Sequence, residues 1–514
     1  MQSVQIVLFL VAMATVVATF AGRIRVPAPS LLVVAGVAVG MLPFAEQIHV
    51  TPEIVSLVVL PPLLYAAGEE LSWRELRRLW RPVTLLAVGL VLVSAAAVGF
   101  VTTLLTPLPI ALGFVLGAVL ASTDPVAVTA LGRRLALPPR LQTLVQAESL
   151  FNDATSLILF RIATAAAVAG GVAGWSSVAV DFVRLAAGGA VVGAVVAAGV
   201  SFVRRRTEDP ILESVIALIV PYLGYVLAEA VGASGVTAVI VSAVIIGARQ
   251  DELTDARIRL QLAAVYGTVI FLLESVVFSL IGLQLPGQIR HLARAERPWV
   301  AAVLVVALTL VVVRVAWMVP LTALAQRRGG GRFRPSWPVS AVVSWAGARG
   351  VVPLAAALSI PLTTASGQPL PHRGLLVVLA TGVIVISLVV QGFTLAPLVR
   401  LSGLAVPAGD SQAEYVRARR RLTDVAARHV EQLADLEAAP PAVLHQVRRS
   451  LRIQQELDQE QEDLTGTYGQ IRREVVAVQA EALARMHAAG EIGEGTYRRL
   501  QRRLDRQDLR YIEE

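Results

Sequence analysis

Glu148-Ser149-Leu150-Phe151-Asn152-Asp153 lies inside an apolar run that extends over roughly residues 140–170. As a helix, that run is long enough to cross a hydrocarbon core of ~30 Å. An ionisable side chain at such a depth costs about 2.5–3.5 kcal/mol on insertion scales. Two carboxylates and an amide in six residues therefore need compensating partners. At helical spacing Ser149 and Asp153 fall one turn apart on one face, with Glu148 and Asn152 stacked on the adjoining face. Polar groups placed this way belong to the interior of a helical bundle and mark its functional centre.

The rest of the chain supplies such a bundle. Its 514 residues are 55% hydrophobic, and the mean hydropathy is +0.67. That is too apolar for a soluble protein of this length. Apolar runs recur at 4–21, 28–44, 52–68, 82–105, 109–132, 140–170, 178–203, 210–231, 234–248, 261–286, 299–325, 338–360 and 373–399. The expectation is an all-α polytopic membrane protein of about thirteen transmembrane helices. The first run has no basic segment before it and no small-residue cleavage site after it, so it reads as a retained span.

Cysteine is absent, which removes disulfides, thiolate metal sites and cysteine nucleophiles. All 45 basic residues are arginine, and the net charge is +8. In a soluble protein that balance would suggest nucleic acid. Here no such partner is expected, because the arginines cluster in short loops, where they set topology. They follow the odd-numbered runs: Arg23 and Arg25; Arg74 to Arg81; Arg133, Arg134 and Arg140; Arg204 to Arg206; Arg249, Arg257 and Arg259; Arg327 to Arg334. The even-numbered loops are nearly free of arginine, except for Arg290, Arg294 and Arg297. The pattern predicts an outside N-terminus, a cytoplasmic C-terminus and location in the plasma membrane. Residues 1–400 form the membrane region. Residues 401–514 are charged, with helical apolar spacing interrupted at Pro440-Pro441 and Gly490, and read as a cytoplasmic helical tail without enzymatic signature.

Two spans are interrupted. Span five contains Ala121-Ser122-Thr123-Asp124-Pro125, and span twelve contains Gly347-Ala348-Arg349-Gly350-Val351-Val352-Pro353. Proline removes a backbone donor and disfavours helix at the residue before it, so both spans should unwind near mid-membrane. They lie seven spans apart, which gives them opposite orientations. Spans one to six and eight to thirteen can then be inverted repeats, and paired broken helices point to a transporter's midplane site.

The charges divide by role. A carboxylate locked to arginine stays ionised and carries protons poorly, and Arg349 is the natural partner for one of them. An unpaired carboxylate in a dry cavity can take up H⁺ or a small hard cation. Hydroxyl, amide and carbonyl oxygens from Ser149, Thr123 and the unwound backbone can complete the cation's shell. Histidine is missing from the spans and lysine from the whole chain, so proton carriage falls to carboxylates. Arg161 is expected to pair with Asp153 or Glu274, and Arg314 to snorkel toward the cytoplasm.

At Leu60-Pro61-Pro62-Leu63-Leu64, Ser122 to Val128, Glu148 to Asp153 and Gly347 to Pro353, the sequence resembles the sodium/hydrogen exchanger family. That family is the electroneutral first branch of the monovalent cation–proton antiporters, and the resemblance covers essentially residues 1–400. It implies thirteen helices in inverted repeats with crossing broken helices five and twelve, a homodimer and elevator-like alternation. It implies that Na⁺, or Li⁺ or K⁺, and H⁺ are the transported ions, with no cofactor and no enzymatic reaction. By motif position Asp153 matches the ion-binding aspartate, and Asp124, Thr123 and Ser149 match contributing ligands. Asn152 stands beside Asp153 as in the electroneutral branch, and Glu148 and Arg349 match the buried ion pair. The chain departs from the pattern at Ala66 and Ala67, where many bacterial relatives carry an acidic residue near the Leu-Pro-Pro stretch, whereas here Glu70 follows later. The paired aspartates also raise an intramembrane aspartyl protease, but neither lies in a Gly-x-Gly-Asp setting. A channel is the third reading, and two interrupted helices with a titratable site favour alternating access over it.

Overall fold

The computed structural model describes residues 2–24, 28–42, 55–124, 139–169, 175–207, 209–290, 292, 298–327, 337–403, 408–435 and 440–459, with shorter stretches between 471 and 501. Among these residues the fold is all helical, apart from an isolated bridge between Thr363 and Pro369.

The helices fall where the apolar runs predict. α1 (Gln2–Ile24) and α2 (Ala28–Gly40) open the chain. Wide π-type turns over Val55–Val59 lead into α3 (Leu60–Glu69), where Pro61 and Pro62 sit in the first turn and forfeit few backbone bonds. α4 (Trp73–Thr84) carries its arginines outward and buries Leu76, Leu79 and Val83. It continues through π-type turns at Leu85–Leu90 into α5 (Val91–Leu105), so the fourth helix starts nine residues before the apolar run that predicted it. α6 (Ile110–Ala121) stops at the expected break. The rest of span five, from Pro125 to residue 132, lies outside the described residues.

α7 (Pro139–Val168) carries the acidic hexapeptide. α8 (Trp175–Arg204) follows, then α9 (Pro210–Ala230), whose first turn is capped by Asp209 accepting from the Ile211 N–H. Ser234 caps α10 (Gly235–Gly247) in the same way. Short α11 (Gln250–Leu253) precedes α12 (Ala256–Arg290) and α13 (Trp299–Arg327). Span twelve is two helices, α14 (Trp337–Trp345) and α15 (Val351–Leu358), and α16 (Arg373–Leu401) closes the bundle.

Among the described residues, seven helices are long and apolar enough to cross a membrane, and five shorter apolar helices accompany them. Val180, Val183, Val191 and Val195 of α8 are 63–66% exposed, which suits a lipid surface. Close helix approach comes from small residues rather than long side chains. A Cβ on Gly36 of α2 would stand 2.4 Å from the Ser279 carbonyl, and one on Gly282 of α12 would stand 2.2 Å from the Val33 carbonyl.

The chain divides into two compact units, Met1–Ala405 and Val406–Glu514. In the second, α17 (Ala408–Asp435) and α18 (Pro441–Gln459) pack together, with Val430 and Leu444 buried and Arg448 bonded to Glu431 at 2.9 Å. Pro441 begins α18, where its missing N–H is not needed. Gly490 lies outside the described residues.

Candidate functional site

α7 is stitched to the unwound end of α6 by a polar stripe at helical spacing. The Ser149 hydroxyl donates to the Thr123 carbonyl at 2.5 Å, and Ser156 donates to the Ala118 carbonyl at 2.7 Å. Between them, Ser122 donates to Asp153 Oδ1 at 2.5 Å. These three residues of α7 are four and then three apart, so they lie on one face. Asn152 reads the break from beside them. Its amide donates to Thr123 Oγ1 at 2.7 Å, and its oxygen accepts from the Thr123 N–H at 3.3 Å. Thr123 and Ser149, both candidate oxygen ligands from the sequence, are thus bonded to each other. Ser122, which alone among the described residues hydrogen-bonds Asp153, is new; it sat in the quoted motif as a short hydroxyl beside the unwound turn.

The two breaks bond to each other. The Asp124 N–H donates to the Ala348 carbonyl at 2.7 Å, and Asp124 Oδ2 accepts from the Val351 N–H at 3.3 Å. That places a carboxylate at the N-terminus of α15, where the helix dipole and free N–H groups favour negative charge. Arg349 does the converse. Its Nε donates to the Leu120 carbonyl at 3.1 Å, in the last turn of α6, where the dipole favours a cation. It also donates to the Gly347 carbonyl. Its backbone N–H bonds Ser387 of α16, which in turn donates to Gln391.

The expected Glu148–Arg349 ion pair does not form. Glu148 is held by Arg314 of α13, with Nη1 to Oε1 at 2.6 Å and Nη2 to Oε2 at 3.0 Å. Arg314 is buried and does not snorkel. Arg349 lines the same narrow void as Glu148, Asn152 and Arg314, yet spends its donors on backbone carbonyls. The glycines of span twelve explain the geometry. A Cβ on Gly347 would stand 2.8 Å from Arg314 Nε, and one on Gly350 would overlap Asp124 Oδ2 at 1.4 Å. The two glycines leave room for the two charged side chains.

Arg161 pairs with Glu229 at 2.9 Å and not with Asp153 or Glu274. Glu274 of α12 lies near enough to Asp124 for their charges to interact, and has no ion-pair partner among the described residues. The site therefore answers Glu148 with Arg314, Asp124 with a helix N-terminus and Arg349 with a helix C-terminus. Asp153 is 6% exposed and has a hydroxyl and no cation beside it among the described residues. No group of three or more His, Cys, Asp or Glu suited to a resident metal exists among them.

Comparison with known proteins agrees with this geometry. Residues 9–401 match the family "Sodium/hydrogen exchanger, transmembrane". An uncharacterized Na⁺/H⁺ exchanger of Mycobacterium tuberculosis is 33% identical over 97% of this chain and 95% of its own. The sodium, potassium, lithium and rubidium/H⁺ antiporter of Bacillus subtilis is 29% identical over 95% of this chain and 74% of its own. The sodium proton antiporter MjNhaP1 of Methanocaldococcus jannaschii superposes with a TM-score of 0.64 at 19% identity, over 78% of this chain and 99% of that one. With the unwound end of α6 bonded to the start of α15 beside a buried aspartate, and with these matches along nearly its whole membrane region, the chain belongs to the sodium/hydrogen exchanger family of cation/proton antiporters.

Proposed function

We propose that the chain exchanges one Na⁺ for one H⁺ by alternating access, the two ions competing for the Asp153 carboxylate. The observation that carries this reading is the contrast between Glu148, locked to Arg314, and Asp153, which has only Ser122 for a partner among the described residues. A carboxylate without a cationic partner must find its counter-charge in a transported ion. Asp124 supplies a second oxygen ligand, with Ser149 and Asn152 fixing Thr123 so that the unwound backbone offers its carbonyls. Glu148 and Arg349 are structural on this account, each through its own partners.

The wider architecture in this proposal is thirteen crossings in inverted repeats, a homodimer, and residence in the plasma membrane with the N-terminus outside. The 401–514 tail is then cytoplasmic and regulatory, and the protein serves sodium tolerance and pH homeostasis. The helix positions and the alternation of arginine between loops support it. A broader alkali-cation specificity, including K⁺ and Li⁺, is the second reading, favoured by the Bacillus subtilis relative, a sodium, potassium, lithium and rubidium/H⁺ antiporter.

Reconstitution in sealed vesicles tests it. Na⁺, Li⁺ and K⁺ are offered in turn against a pH gradient, with and without a valinomycin-imposed potential. One charge each way moves no net charge, while a single uncompensated charge is worth ~2.3 kcal/mol per 100 mV. Exchange that ignores the potential is the expected result, and voltage-driven exchange would overturn the one-to-one assignment.

A further inference from the structure

Apart from the crossing, a compact group of ionisable side chains gathers where α3 ends. Arg204, the last residue of α8, bonds Glu213 in the first turn of α9 at 2.5 Å, with both side chains fully buried. The charge of Arg204 also reaches Glu69, at the end of α3, and Tyr65, one turn earlier. Tyr65 stacks on Tyr266 of α12, with ring centroids 5.9 Å apart. The cluster sets two carboxylates against one guanidinium.

Its hydrogen bonding within the protein is incomplete. The Tyr65 hydroxyl, Glu69 Oε1, Glu213 Oε1, both Arg204 Nη atoms and Ser201 Oγ are all buried with no hydrogen-bond partner among the described residues. Tyr65 and Glu213 are 0% exposed. Orphaned polar atoms are rare in folded proteins, and six around one ion pair call for an explanation. A buried excess of negative charge is costlier still.

Among the described residues, the elements packed on α3 offer no second cation for that excess. α10 and the Val55–Val59 turns, both packed on α3, have no titratable side chain. α7 meets α3 through Leu150, whose Cδ2 would lie 3.6 Å from a Cβ on Gly68. α9 contributes Glu213, α12 contributes Tyr266, and Glu70 adds a further negative charge from the end of α3 itself.

We propose that Glu69 is a second proton-binding site, separate from Asp153, whose proton supplies the positive charge that the Glu69–Arg204–Glu213 cluster lacks. Protonated, Glu69 leaves the Arg204 guanidinium to balance Glu213 alone, so the buried cluster carries no net charge. The site lies on a tight seam. Gly68 contacts the helix that carries Asp153, and a Cβ on Gly247 would stand 2.4 Å from the Glu69 carbonyl. A change of charge there is felt where α3, α7 and α10 meet, so the site gives transport a pH response that does not act through competition for the cation.

Infrared titration of the purified full-length protein tests the proposal without relying on transport. Asp153→Asn removes the carboxyl at the crossing. A titrating protonated-carboxyl C=O band should remain in this variant and lose intensity in the Asp153→Asn, Glu69→Gln double variant, what is left coming from other buried carboxyls such as Glu274. Identical titrating bands in the two would overturn the proposal. Should Glu69→Gln fail to fold, Glu213→Gln in the Asp153→Asn background leaves Arg204 to hold Glu69 ionised and should move the titration of the band to lower pH, and an unmoved titration counts equally against the proposal. In vesicles, Glu69→Gln alone should retain exchange, keep the cation KM at the optimum pH and displace the pH profile. A profile identical to that of the unaltered protein would overturn the link to transport.

Discussion

Arg314 grips Glu148 with both terminal nitrogens, at 2.6 and 3.0 Å, while Arg349 turns away to the carbonyls that end α6. Two arginines therefore do different jobs within one void. One neutralises a carboxylate that would otherwise be a rival proton carrier. The other ties the broken spans together.

Removing one member of a fully buried pair costs about 3–5 kcal/mol, because the other charge is left uncompensated. Arg314→Ala should therefore lower the melting temperature sharply, and Glu148→Gln should recover part of the loss when combined with it. Arg349→Ala with Glu148→Gln should couple more weakly, because Arg349 feels the Glu148 charge across the same void without bonding it. A double-mutant cycle by thermal unfolding separates the cases. Strong coupling of Glu148 to Arg349, with none to Arg314, would reverse the assignment.

Ser122→Ala removes the hydroxyl that donates to Asp153. A hydrogen bond to a charged group is worth about 1.5–3 kcal/mol. It favours the ionised carboxylate, so without it the proton becomes the stronger competitor. The apparent KM for Na⁺ near neutral pH should rise by about tenfold or more, since 1.4 kcal/mol is one decade. The acidic limb of the activity profile should move to higher pH. Initial rates of exchange across pH and Na⁺ concentration read both effects, and an acidic limb left in place would show that Ser122 does not touch the working carboxylate.

Gly350→Ala is a steric test of the crossing. The added methyl would overlap Asp124 Oδ2, so Asp124 must leave the α15 N-terminus. Loss of such a capping carboxylate costs about 1 kcal/mol, and the forced displacement adds to it. Exchange should fall steeply and the melting temperature should drop. Normal exchange with normal stability would mean that the two breaks are not held together as described.

Much of this was legible in the sequence, and the exceptions share a cause. Hydropathy placed Glu148, Asp153 and Arg349 within apolar runs, and all three are buried, while proline and glycine marked where α6 stops and where span twelve parts, because both depend on local chemistry alone. Which charge meets which depends on the rotation and tilt of helices. Arg314 lies on a different helix, 166 residues from Glu148, and reaches it only because Gly347 leaves the path open. Arg349 lies on unwound backbone, where helical spacing cannot say which way a side chain points. Arg161 reads as a neighbour of Asp153 by spacing, yet two turns carry it to Glu229 at the bundle's edge. The Glu69 cluster was invisible for the same reason, since α3, α8, α9 and α12 each contribute one or two residues to it.

The central claim is that one carboxylate serves both ions, and the most direct measurement counts protons released when Na⁺ binds. Purified, detergent-solubilised protein in weakly buffered solution is titrated with NaCl, and a pH indicator or calorimetry in buffers of different ionisation enthalpy reports the release. The account predicts close to one proton per bound Na⁺ where Asp153 is protonated, falling toward zero at high pH. It predicts neither saturable Na⁺ binding nor proton release for a folded Asp153→Asn variant. Saturable Na⁺ binding with undiminished proton release in that variant would contradict it, because the proton and the cation would then meet at some other group.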